Sequence, residues 1–331
     1  MQFRTTRISL GKGGGGRISS AVATLLGATL LWSCSGSGGG GPFAFPDGVA
    51  IDKNGVIYVA DTANDRIVRM DNMNGDNRVT FGGPGAGTNQ FNTPLGVAVD
   101  VNLNIYVADS RNNRIVRFAD MTGKDWTPLG SLGSGVNQFN FPEGIAVEAA
   151  NMPKIYVSDT GNNRIVQLDD MTQNAGTWHE SGTFGSGPNQ FNGPIGIAID
   201  DGGNIFVADD GNNRIVETDI TGTTWSAFGS LGNGPGQFKG PFGIAVNSMG
   251  QIEVADSGNN RIIQVDNIGG ANWMTLGGPS PGDGTNKFNG PGGMAVSMAA
   301  LNFDDIFVCD TGNSRIVEMT DITGTDWMAY P

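Results

Sequence analysis

Histidine, cysteine and positive charge are scarce in this 331-residue chain. It has one histidine, two cysteines, and 19 Lys and Arg against 32 Asp and Glu. A single histidine, His179, cannot build a multi-histidine zinc site. It would be the only base for a Ser-His-Asp set, and no nucleophile elbow accompanies it. His179 is read as a solvated loop residue. Two cysteines are too few for a disulfide framework. The formal charge of −13 argues against nucleic acid, whose phosphates need clustered Lys and Arg. No phosphate-binding loop is present either, because "GKGGGGR" from Gly11 follows no strand. No segment carries a sustained 3.6-residue apolar period, so long amphipathic helices are excluded.

Glycine, by contrast, is abundant, with 54 residues at recurrent positions. That distribution suits turns between short strands. The charged fraction is only 15%, so the surface must be largely Asn, Thr, Ser, Gly and Asp.

The first residues differ from the rest. Arg4, Arg7, Lys12 and Arg17 precede the apolar run Ile18 to Trp32. The run is short for a membrane span of about 20 residues and fits a signal-peptide core. It ends in Leu31-Trp32-Ser33-Cys34, which resembles a bacterial lipobox. The resemblance implies a signal peptide over 1–33 and lipidation of Cys34; an ordinary secretory signal cut near Ser33 or Ser35 is the alternative. Residues 34–42 would be the lipidated cysteine and a Gly/Ser linker. The mature chain would stand at −17, with 15 Lys and Arg against 32 Asp and Glu. Either route predicts an exported protein: a cell-envelope lipoprotein, periplasmic or surface-exposed, or else a secreted one.

From Phe43 onward one unit repeats six times. Its signature is an octet: DTANDRIV from Asp61, DSRNNRIV from Asp109, DTGNNRIV from Asp159, DDGNNRIV from Asp209, DSGNNRII from Asp256 and DTGNSRIV from Asp310. Each unit has four parts of four to six residues. They are P-x-G-[VI]-A-[VI], an apolar run ending in the Asp, "RIV" with alternating residues, and a segment beginning at a Trp. Apolar runs of that length, bounded by Gly, Asn, Asp or Pro, are strands. Four strands per unit and six units predict an all-β, six-bladed β-propeller over 43–331, with four antiparallel strands per blade, called a to d.

The pattern "FNGPIGIAID…NIFVADDGNNRIV" resembles the NHL repeat family of β-propellers, and the likeness runs from Phe43 to Tyr330. Blade 1 departs from it with Arg78 in the Trp place. Blade 3 carries three extra residues, placed after Trp178, so that Phe184 takes the closing aromatic position. The chain ends just after a strand d. Blades are therefore expected to be contiguous sequence units, with no strand exchanged at the seam and face-to-face packing alone holding it. Local unfolding should start there, and hydrogen exchange would test it.

Alternating strands put the b–c turns and d–a connections on one face. The octet is the b–c turn. Asp and Asn suit turns, and Arg can tie a carboxylate to turn carbonyls. The expectation is a structural clasp pairing Asp61 with Arg66, Asp109 with Arg114, Asp159 with Arg164, Asp209 with Arg214, Asp256 with Arg261 and Asp310 with Arg315. A ring of carboxylates binding cations is the competing reading. Cys309, just before the last Asp, reads as a small buried side chain.

Function is sought where the copies differ. Between the Pro and Gly of strand a stand Asp47, Leu95, Glu143, Ile195, Phe242 and Gly292, predicted to ring the mouth of the axial channel. The longest connection, Gly277 to Gly290, borders the same face. The resemblance implies two kinds of precedent. Some relatives are zinc lyases with several His ligands, which this chain lacks. Related six-bladed propellers hydrolyse lactones with a divalent metal held in the channel. The reading is a binding or scaffold module for a protein, peptide or glycan, monomeric, touching membrane only through a lipid anchor and needing no cofactor. The alternative is a metal-assisted hydrolase or lyase using calcium or zinc in the axial channel, in which Asp47 and Glu143 could take part although nothing in the sequence fixes a third or fourth ligand.

Overall fold

In a computed structural model, the chain divides into residues 1–34 and 35–331. The structure describes residues 43–169, 171, 178–297 and 304–331. The signal segment, Cys34 and the linker lie outside the described residues. Among the described residues no helix is long and apolar enough to cross a membrane.

Six four-stranded antiparallel sheets follow one another along the chain, each in the order a-b-c-d. Strands a, b and c of blade 1 are Pro46–Ile51, Ile57–Asp61 and Arg66–Met70, and strand d is Val79–Gly82. Blade 6 ends the series with Met294–Val296, Ile306–Asp310, Arg315–Met319 and Met328–Tyr330. Among the described residues no strand is exchanged between blades.

The sequence explains why the blades stack. Strand b is buried along its whole length in every blade, because it has neighbours on both faces and on both edges. Along it the Ile and Val face the preceding blade, and the residues that alternate with them, such as Tyr58 and Ala60 or Phe206 and Ala208, face the following one. The result is six apolar clusters, one at each junction. Each fully buried Ile or Val stabilises by about 1.5–3 kcal/mol.

The seam between blades 6 and 1 differs from expectation. It is more than packed faces. The Thr311 hydroxyl donates to the Pro46 carbonyl at 2.7 Å, and the Gly293 amide donates to the Asp47 carbonyl at 2.7 Å. Packing brings Phe43, Val49, Phe307 and Ile316 into one cluster as well. The same hydroxyl-to-proline latch joins Thr62 to Pro94 at 2.8 Å, Ser110 to Pro142 at 2.5 Å, Thr160 to Pro194 at 2.7 Å, and Ser257 to Pro291. The seam therefore has the same latch as its neighbours.

Two further corrections concern blade 3. Its strand d is Trp178–Ser181, and Ser181 pairs with Ile165. That is the place Phe228 takes opposite Ile215 in blade 4. The extra residues therefore precede Trp178, and Phe184 does not close the sheet. It is 67% exposed in a two-residue parallel pairing with Phe191. His179, expected in a loop, lies in strand d opposite Gln167, with half its side chain exposed.

Candidate functional site: the axial mouth and the clasps around it

The clasp geometry is the same in all six blades. Asp109 shows it. Its Oδ2 accepts from Arg114 Nε at 2.6 Å and from Asn112 Nδ2 at 2.8 Å, while Oδ1 accepts from the Asn92 amide at 2.7 Å. The other pairs, Asp61–Arg66, Asp159–Arg164, Asp209–Arg214, Asp256–Arg261 and Asp310–Arg315, close at 2.6–2.7 Å with the carboxylate fully buried. The residue before each Arg bends the chain in the left-handed region, as Asn113 does at φ 52°, a conformation Asn and Asp tolerate.

In blades 2 to 6 the guanidinium also holds the incoming d–a connection. Arg114 donates to the Ala86 and Gln90 carbonyls at 2.8 and 2.9 Å; Arg261 donates to Asn233 and Gln237 at 2.7 and 2.8 Å. The same group lies over the strand-d Trp, 5.5–5.8 Å from its ring centre. In blade 1 Arg78 replaces that Trp and lies over Phe43 at 5.8 Å. In blades 2 to 6 the clasp is thus engaged both by its own blade and by the loop leading into it. Burial still pushes the carboxyls of Asp109, Asp159, Asp209, Asp256 and Asp310 upward, against the pull of their Asn, backbone and Arg donors.

The mouth lies inside this ring. Asp47, Leu95, Glu143, Ile195 and Phe242 line one cavity of about 70 Å³ at the strand-a starts. A second space of about 190 Å³, walled by Val, Ile and Ala of the same strands, continues along the axis. Gly292 is buried, and Gly293 lines the cavity in its stead. Each mouth residue is followed by a glycine: Gly48, Gly96, Gly144, Gly196, Gly243 and Gly293. A Cβ on any of them would collide with the carbonyl oxygen of the next blade's mouth residue. The throat is therefore a ring of touching backbones.

The acids here are not paired as the clasps are. Burial pushes Asp47 up to about 6, against the relief offered by Thr311 and Thr62. Glu143 is pushed up to about 8, first by burial and then by the charges of Asp210 and Asp47, with Thr160 opposing. Those hydroxyls have one proton each, and Thr62, Thr160 and Thr311 direct theirs at proline carbonyls.

Asp210 was missed in the sequence, although the signal was there. The residue after the octet's first Asp is Thr or Ser in five copies and Asp in the fourth. In those five blades it forms the latch. In blade 4 burial, and then the charge of Asp209, push Asp210 up to about 6. Replacing Asp210 with Thr should restore a hydroxyl latch to Pro241 and remove a charge beside Glu143. We expect a stabilisation of about 1–2 kcal/mol, read as a higher urea midpoint at pH 7.5; an unchanged or lower midpoint would contradict it.

Among the described residues, no group of three His, Cys, Asp or Glu is arranged to hold a metal ion. Cys309 is fully buried, and burial raises its thiol well above the usual range.

Fold and site together define a six-bladed propeller with a uniform frame and a mouth that is acidic on one side and apolar on the other. The NHL repeat matches residues 43–70, 91–118, 191–217 and 238–264, and the chain is an NHL-repeat β-propeller. No curated protein matches its sequence significantly. Among solved structures it is similar to a streptogramin B lyase, with 17% identity, TM-score 0.59, and 87% of this chain and 83% of that one covered. It is similar to a catalytically inactive variant of virginiamycin B lyase from Staphylococcus aureus, solved with quinupristin, with 16% identity, TM-score 0.56, and 86% and 84% covered. It also resembles a chain of a nidogen/laminin complex, with 19% identity, TM-score 0.54, and 68% and 77% covered. At these identities the likeness is one of fold.

Proposed function

We propose that this propeller is an exported, membrane-tethered binding module that presents its b–c and d–a loop face to a protein, peptide or glycan. One observation carries the reading. Leu132, Phe184 and Leu231 occupy the same place on three successive d–a connections and are 66%, 67% and 65% exposed. Each bridges the buried Phe ahead of the next strand a, so the clasped loop holds it outward. Scattered exposed apolar side chains are ordinary; a register-matched series on one face is what a contact surface needs. The neighbour from the nidogen/laminin complex supports the use of such a fold in binding.

Export and tethering rest on the N-terminal residues and on Cys34. A chain carrying Cys34→Ser should leave the membrane fraction. For the surface, the triple variant Leu132→Ser, Phe184→Ser and Leu231→Ser should keep its unfolding temperature. It should lose a partner captured from envelope extract by the wild-type chain. Equal capture by both would refute the loop face as the binding surface.

A further inference from the structure

The cavity at the channel mouth adds a chemical class to the partner. We propose that the mouth binds one alkyl cation, the side chain of an arginine or lysine that a partner presents to the loop face. The inference rests on the binding-module reading for its biological setting, and its physical content is tested without a partner.

Three features converge. First, the cavity is amphipathic. Ile195 and Phe242, on neighbouring blades, form an apolar wall, and Leu95 stands between the two acids, Asp47 and Glu143. An alkyl stem fits such a wall, a ring face attracts a cation, and carboxylates accept its N–H donors. The space of about 70 Å³ is several times the ~10–15 Å³ that one water needs.

Second, among the described residues no cation acts on these carboxyls. The charged groups facing them come from every adjoining element. Asp210 on the blade 4 turn is acidic, and the Cys309 thiol of blade 6 is held neutral by burial. Each clasp Arg has its Nε committed to its own buried Asp. The Thr hydroxyls beside Asp47 and Glu143 point their protons elsewhere.

Third, the carboxyls come from separate blades. They do not form a compact three-ligand metal group among the described residues. Acceptors spread around one cavity suit the several N–H donors of a guanidinium or ammonium better than one small ion.

Proton competition gives a second signature. Glu143, Asp47 and Asp210 hold protons to higher pH than ordinary carboxyls because of burial, with the charges of Asp210 and Asp47 adding to it for Glu143 and that of Asp209 for Asp210. A cation must displace those protons, so binding should release them and tighten as pH rises.

The test is calorimetry on the full chain with n-butylguanidinium, n-butylammonium, neutral n-butylurea, calcium and zinc. Saturable binding of either alkyl cation is expected. It should tighten about tenfold from pH 5.5 to pH 8.5 and weaken at least tenfold in Glu143→Gln and in Asp47→Asn. The urea should not bind. Circular dichroism confirms that both variants fold, and Leu95→Asn, which keeps both acids, checks the apolar lining independently by weakening binding. No saturable binding, equal binding of the urea, or tighter binding of calcium or zinc would each overturn the proposal. If the alkyl cations fail while the Leu132, Phe184 and Leu231 variant still loses its partner, the loop-face reading survives alone. If they bind while that variant keeps its partner, the loop-face reading falls and the mouth stands.

Discussion

The unfolding temperature should fall as pH rises from about 4 to about 8, and Glu143→Gln with Asp47→Asn should make that fall shallower. The cause is a set of carboxyls raised by burial, three at the mouth and two on strands, Glu253 and Glu318, each pushed up to about 7. Asp47 and Asp210 are pushed up to about 6 and Glu143 to about 8, whereas in the unfolded chain they titrate near ~4. Between those limits the folded state binds more protons than the unfolded state, so stability declines with pH. The penalty is absent below the unfolded values and complete above the folded ones. Its slope has a ceiling of roughly 1.4 kcal/mol per pH unit for each group. Asn and Gln keep the shape and carry no charge. The variant should approach the wild type as pH falls to about 4 and below, and exceed it clearly at pH 8. Parallel decline of the two curves would place the effect elsewhere. Below pH 4 a different set acts with the opposite sign. Thr hydroxyls hold Asp219 and Asp321 below the usual carboxylate range, and their contribution is lost as they protonate.

Breaking one clasp should cost about 3–5 kcal/mol. Asp256→Ala removes the acceptor for Arg261, Asn259 and the Lys239 amide together. It leaves a nearly buried guanidinium unpaired, with 9% of its side chain exposed. The denaturant midpoint should drop, and amide exchange should quicken in residues 233–240, the connection that Arg261 holds. Adding Arg261→Met should recover part of the loss, because the orphaned charge goes with it. A drop under about 1 kcal/mol would mean the clasp is not the frame. A gain in stability would mark Asp256 as a strained ligand-binding carboxylate.

Most of the fold could be read from periodicity. Short alternating runs and a repeated octet give strands, blade count and the face on which turns gather, because these depend on local patterns. The mouth positions followed from the same alignment, since equivalent residues in a radial array must share one rim. What escaped depends on register or on neighbours across a junction. Ser181 lies opposite Ile165 three residues after Trp178, as Phe228 stands three after Trp225, and expecting an aromatic residue there pointed to Phe184 instead. Pattern-matching treats Thr311 as turn composition, although its hydroxyl reaches a blade 265 residues away in sequence. Asp210 looked like one more acid in an acidic chain; its significance appears only beside the five hydroxyls that occupy its place elsewhere.

The ring of touching glycines separates two kinds of freedom. Where main chains abut, the throat's bore is set by peptide geometry that side-chain change cannot widen or narrow. In blades 1 to 5 the preceding residue lines the space those peptides enclose and has no duty in holding them apart. Chemistry at the axis can therefore be rewritten one letter at a time, each spoke supplying a character independent of the wheel that carries it.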